Sequence, residues 1–255
     1  MVGTYVVQYP LPTWPCSSSA ILVQMNTVYS VNTSTSNITQ LGPAVNNVPG
    51  GAYLNNIGYN TADNYIYGVT TGSPPYLFRL GSNSQIVTFS TVSAAVSTTG
   101  VWNAGEVDTN SQLWLFSGST HWAQVSLAPA NFGLVVASGT ATAPANINDW
   151  VYLTGGGQAL WSVNLVSSLL SNSINVLRFD RTTHAWSTFA TYSLLTGNTA
   201  TNFNAMWAVS STSFQASDQT TGQVWEFSIS GIAPRLVGTT SSPGNYRDAA
   251  RCPLA

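Results

Sequence analysis

Four stretches of the chain pass through one succession of short strand-like segments at intervals of roughly 45 residues, and a fifth copy is divided between the two ends. Each complete copy opens on an amide or acid followed by small and aromatic residues, beginning near Leu54, Trp102, Asn148 and Phe203. A turn rich in Asn, Asp, Ser, Thr or Gly follows, then a short apolar segment such as residues 64–69 or 112–116. Third segments, at 76–80, 121–125, 176–180 and 223–227, alternate as a strand with two different faces does. Fourth segments fall at 85–89, 133–136, 185–189 and 235–237. The N-terminal part supplies only three, at 20–24, 27–31 and 37–41, while residues 245–252 carry the opening pattern with nothing beside them to pair with. Completing the first copy with the last segment closes a ring and leaves no inner edge unpaired. The expected fold is therefore all-β: one domain spanning residues 1–255, a five-bladed β-propeller of four-stranded blades.

The cysteines point to the same closure. There are two, Cys16 before the first strand and Cys252 after the last, and they are expected to form a disulfide rather than remain as two buried thiols. In the chain-entropy model so long a loop contributes up to about 5 kcal/mol. Two sulfurs and two distant histidines make no metal-ligand cluster, so neither metal nor cofactor is expected.

Charge limits the partners. The chain has no lysine, six arginines and eight acids, so no basic stripe is available for nucleic acid or acidic membranes. No run approaches the ~20 apolar residues of a membrane span, and residues 1–15 lack a signal-peptide core, as in a mature chain with an added initiator methionine. Two N-glycosylation acceptors, Asn32 in Asn-Thr-Ser and Asn37 in Asn-Ile-Thr, lie in a turn of the first blade. With the disulfide they indicate an extracellular, secreted protein, expected to act as a monomer.

Residues 58–68, Leu177 to Thr183 and the ending Asp248-Ala249-Ala250-Arg251-Cys252 resemble a family of secreted propeller domains found in fungi and bacteria. The resemblance implies the fold and a secreted source, and it implies no assigned activity. A looser similarity links the architecture to five-bladed tachylectin-type lectins, with no binding residue to carry over.

Two residue sets could bind a ligand. On the inner strands Asn56, Asn103, Asp149, Asn204 and Asp248 occupy matching positions, with Asn55, Asn148 and Arg247 just before three of them. They would ring one mouth of the channel, or else bond the backbone of their own turns. Among the aromatics, Trp114, Trp150, Trp161, Trp207 and Trp225 fit inter-blade packing, whereas Trp102, Trp122, Trp14 and Tyr53 are the candidates for exposure. Trp102 beside Asn103 has the equipment to stack on a sugar face while bonding its hydroxyls, or to pack in the core. Catalytic motifs are missing: no G-x-S-x-G, no phosphate loop at Gly155-Gly156-Gly157, no histidine pair at metal spacing.

Glu106, Asp149 and Asp248 are the acids that could pair near the channel for glycan or lactone hydrolysis. Asp63, Asp180 and Asp218 fall in turns. The expectation is a non-catalytic binding protein for a neutral glycan or cell-wall polysaccharide. An inert wall or matrix component, and a carboxylate-dependent hydrolase, remain as alternatives.

Overall fold

The computed structural model describes residues 11–92, 101–117, 120–167, 172–193, 200, 202–241, 244 and 247–255. Among the described residues there are twenty strands in five four-stranded antiparallel sheets. Blade 1 holds β1 (Ala20–Gln24), β2 (Thr27–Val31) and β3 (Ile38–Gln40), with β20 (Arg247–Ala250) as its inner strand. Blade 2 runs outward through β4 (Leu54–Asn60), β5 (Tyr65–Thr70), β6 (Tyr76–Leu80) and β7 (Ile86–Thr91). Blade 3 contains β8 (Trp102–Val107), β9 (Gln112–Ser117), β10 (His121–Ser126) and β11 (Val135–Thr140). Blade 4 contains β12 (Val151–Tyr152), β13 (Ala159–Ser167), β14 (Asn172–Asp180) and β15 (Ala185–Ser193). Blade 5 ends the series with β16 (Phe203–Ala208), β17 (Ser213–Asp218), β18 (Gln223–Ser228) and β19 (Arg235–Thr239). Residues 245 and 246, the expected start of the last inner strand, lie outside the described residues.

The ring closes because each blade buries apolar side chains on both of its faces and must be covered twice. Five buried clusters result, one for each interface. Blades 1 and 2 meet through Val23, Val28, Ile57 and Phe78, and blades 2 and 3 through Tyr67, Leu77, Leu113 and Val125. Trp114, Phe116, Trp150 and Phe179 join blades 3 and 4, Trp161, Ile174, Met206 and Phe214 join 4 and 5, and Trp207, Val224, Leu22 and Val31 join 5 and 1. The five tryptophans expected in the core are all buried. Between blades 2 and 3 even the backbones touch: a Cβ on Gly58 would stand 2.1 Å from Val107 N, and one on Gly105 2.3 Å from Asn56 O, so only glycine fits at either place.

Head and tail are fastened at three levels. β1 pairs with β20 from Ile21↔Ala250 to Gln24↔Arg247. Cys16 and Cys252 form the disulfide, with their Cα atoms 5.1 Å apart. Arg251 donates to the carbonyls of Ser18 (3.0 Å), Ala255 (3.1 Å) and Ala208 (2.8 Å), tying the tail to blades 1 and 5 together.

The segments carrying the family resemblance are accounted for by this architecture. Leu177 and Phe179 are core, and Asp180 caps its turn by accepting the N–H groups of Thr182 (2.9 Å) and Thr183 (3.0 Å). Arg181 forms a buried ion pair with Asp108 across blades 3 and 4, its guanidinium 4.9 Å from the Tyr152 ring. Asp63 likewise binds its own hairpin, through Tyr65 N (3.2 Å) and Tyr67 Oη (2.6 Å). Asp218 does so through Thr220 and Thr221. Gly155 to Gly157 form the turn between β12 and β13.

Candidate functional site

The inner strands β4, β8, β12, β16 and β20 neighbour one another around the axis. Where they begin, all five blades contribute to one pocket of about 280 Å³. Its wall holds one prominent polar side chain per blade: Arg247 from blade 1, Asn55 from 2, Asn103 from 3, Asn148 from 4 and Asn204 from 5. Asn202 and Gln219 join them, with Asn148 Nδ2 donating to Asn202 Oδ1 and Asn204 Nδ2 donating to Gln219 Oε1 (2.8 Å). Trp102 also borders the pocket, but its indole is buried among Val69, Leu77 and Leu113, leaving no face for stacking. Trp122 and Trp14 are buried as well, the latter donating Nε1–H to Leu80 O (2.9 Å).

Asn56, Asp149 and Asp248 lie one position further along their chains and are sealed from solvent. The mouth is lined instead by the residues before them, Asn55, Asn148 and Arg247, so adjacent polar residues serve opposite faces. Asn56 sits at a bulge with φ +54°, a left-handed conformation that asparagine tolerates. Its Nδ2 donates to Val69 O at 3.4 Å, while its Oδ1 is buried with no partner.

The sealed acids act as clasps between blades. Asp248 accepts from Ala249 N and, across to blade 2, from Ile57 N, both at 2.7 Å. Asp149 accepts from Trp150 N (2.7 Å) and from Met206 N of blade 5 (2.5 Å). Glu106 repeats the device with Val107 N (2.9 Å) and Tyr152 N of blade 4 (3.3 Å). Burial pushes all three carboxyls well above the usual carboxylate range. The negative charge of Asp248 raises Asp149 further.

Such groups, with their oxygens committed to backbone N–H donors and shut away from the pocket, hold strands in register. They present no oxygen to a substrate. Among the described residues no group of three or more His, Cys, Asp and Glu is placed to hold a metal ion.

Sequence reasoning passed over Asn202 and Gln219. The signal for Asn202 was its place directly before β16, matching that of Asn148 shortly before β12; for Gln219 there was none, because it lies on the turn after β17.

Solved structures are similar to this chain at low identity. One is the crystal structure of the nidogen/laminin complex, at 10% identity over 88% of this chain and 81% of that one, with a TM-score of 0.51. Another is the structure of U3-55K, at 12% identity over 89% and 66%, with a TM-score of 0.47. At 10% identity the likeness to the nidogen/laminin structure shows the fold alone. No curated protein sequence matches. Residues 17–254, which include all five blades, match the model of a repeat of unknown function, DUF6923, and the chain belongs to that family.

Proposed function

We propose that this protein is a secreted, non-catalytic binding module that recognises a glycan through hydroxyl groups at the channel mouth. The observation that carries this reading is the ring of amide side chains, drawn from four blades, around a pocket walled by all five. Amides donate and accept in fixed directions without charge, which suits sugar hydroxyls, and a neutral saccharide is the class such a ring reads. Because Trp102 is buried, recognition rests on hydrogen bonds and affinity is modest, in the millimolar range or somewhat tighter. The disulfide supports an oxidising compartment, as do Asn32 and Asn37, both exposed beside the β2–β3 turn where a glycan chain can be accepted. Among the described residues no helix is long and apolar enough to cross a membrane.

The test is a glycan array with the purified protein, followed by titration of any hit against Asn103→Ala and Asn148→Ala. Binding that weakens in both variants while their melting temperatures hold supports the reading. An array with no hit leaves the wall or matrix component, for which rigidity is the function, as the better account.

A further inference from the structure

Six arginines are spread over the ring, and five have evident employment. Arg178, Arg181 and Arg235 pair with Asp180, Asp108 and Glu226. Arg79 lies over the Tyr65 and Phe89 rings, and Arg251 is bound by three carbonyls.

Arg247 differs. Its side chain is only 2% exposed and borders the mouth pocket, yet Nε and Nη2 have no hydrogen-bond partner, and Nη1 reaches only Asp218 O at 3.4 Å. The nearby Asp218 carboxylate is turned to its own loop, where Oδ1 accepts from Thr220 N and Thr221 N and Oδ2 from Asn202 N. The neighbouring Asp248 faces Ile57 and Ala249. A guanidinium held out of water with no anion bonded to it, and only the charge of Asp218 nearby, is costly, and the cost is recovered when an anion docks. Burial draws the Arg247 pKa down to about 10, still charged at neutral pH. Two further buried polar atoms without partners, Trp102 Nε1 and Asn204 Oδ1, belong to residues of the same wall.

We infer that the ligand of the mouth is an acidic saccharide whose carboxylate docks on Arg247 while the amide ring binds its hydroxyls. This rests on the glycan reading above, keeps its hydroxyl-binding amide ring, and replaces the neutral sugar by one bearing a single negative group. A carboxylate suits the fork of a guanidinium. One cation, with no other ionisable side chain among the described wall residues, matches one monoanionic group. The Nε and Nη2 donors are buried, so docking requires a small shift of the side chain toward the pocket.

The test uses matched sugars titrated into the whole protein: glucose against glucuronate, and galactose against galacturonate. At least one acid is expected to bind about tenfold tighter than its neutral partner, with salt weakening the acid alone. Arg247→Gln is expected to remove that difference and Arg247→Lys to restore part of it. Equal binding within both pairs overturns the carboxylate assignment and leaves the glycan reading standing. No binding by any of the four, together with an empty array, ends both. Inorganic phosphate that displaces the sugar acid as well as acetate does, or better, shows a general anion site and also overturns the inference. If Arg247→Gln fails to fold, the wild-type pairs and their salt dependence still decide.

Discussion

Arg247 and Asp248 are consecutive on β20, and they do opposite things. Arg247 borders the mouth with two donors unmet, whereas Asp248 is enclosed with both oxygens bonded and holds blade 1 against blade 2. Asn148 and Asp149 repeat the contrast in blade 4, and Asn55 and Asn56 in blade 2. A propeller's inner strand thus carries a layer that assembles the ring and a layer that faces the pore, separated by one residue. The pairs teach that identical-looking polar residues near a channel are not interchangeable evidence for a ligand site.

Breaking the closure should damage both layers at once, since β20 carries one member of each. Replacing Cys16 and Cys252 by serine is expected to lower the unfolding free energy by up to about 5 kcal/mol in denaturant titration, and to weaken any mouth ligand in parallel. Loss of stability with binding intact would mean that β20 stays seated without its disulfide.

Asp248→Ala is expected to cost about 2–3 kcal/mol, because the N–H groups of Ile57 and Ala249 lose their acceptor inside the protein. Asp248→Asn, which keeps one acceptor oxygen, should cost less. A melting temperature unchanged by Asp248→Ala would remove the distinction between the layers.

The pH dependence has a definite sign. The pKa values of Glu106, Asp149 and Asp248 are raised in the fold, chiefly by burial, so the folded state holds protons that the unfolded chain releases above about pH 4. Their contribution is fully present below about pH 4 and is lost as the pH climbs toward the raised values. The slope is up to about 1.4 kcal/mol per pH unit for each titrating group. Asp180, lowered chiefly by the Thr183 N–H, acts in the opposite sense and only in acid. Urea titrations between pH 4 and 8 should show the decline, and Glu106→Gln should flatten it. Stability that rises over this interval would contradict the burial of these groups.

The smallest expected effect is at the mouth. Asn103→Ala should shift the unfolding free energy by about 1 kcal/mol or less while weakening a bound saccharide by about three- to tenfold, measured by titration calorimetry.

Most of the architecture was legible, for a repeated strand pattern with a missing inner strand at one end and a surplus one at the other leaves few ways to close. The cysteines flank that junction, and the family segments encode its packing. The mouth was harder to read for two physical reasons. A strand's faces are told apart by alternation of polar and apolar residues, and at 55–56, 148–149 and 247–248 both neighbours are polar, so the pattern is silent about which one points inward. Irregularities in pairing between Asn55 and Gly58, Trp102 and Ala104, and Phe203 and Ala205 then change which face a given offset meets. Trp102 shows the result, since its sequence context allowed either a stacking platform beside an amide or a core residue, and it packs between blades 2 and 3.

The fastening of β1 to β20 also governs how the molecule can be made. During synthesis the inner edge of β1, with Ile21, Leu22 and Val23, must wait for a partner more than two hundred residues downstream to leave the ribosome. Until then the nascent chain offers an unsatisfied hydrogen-bonding edge and sticky apolar flanks, which makes this interval the one in which a chaperone matters most.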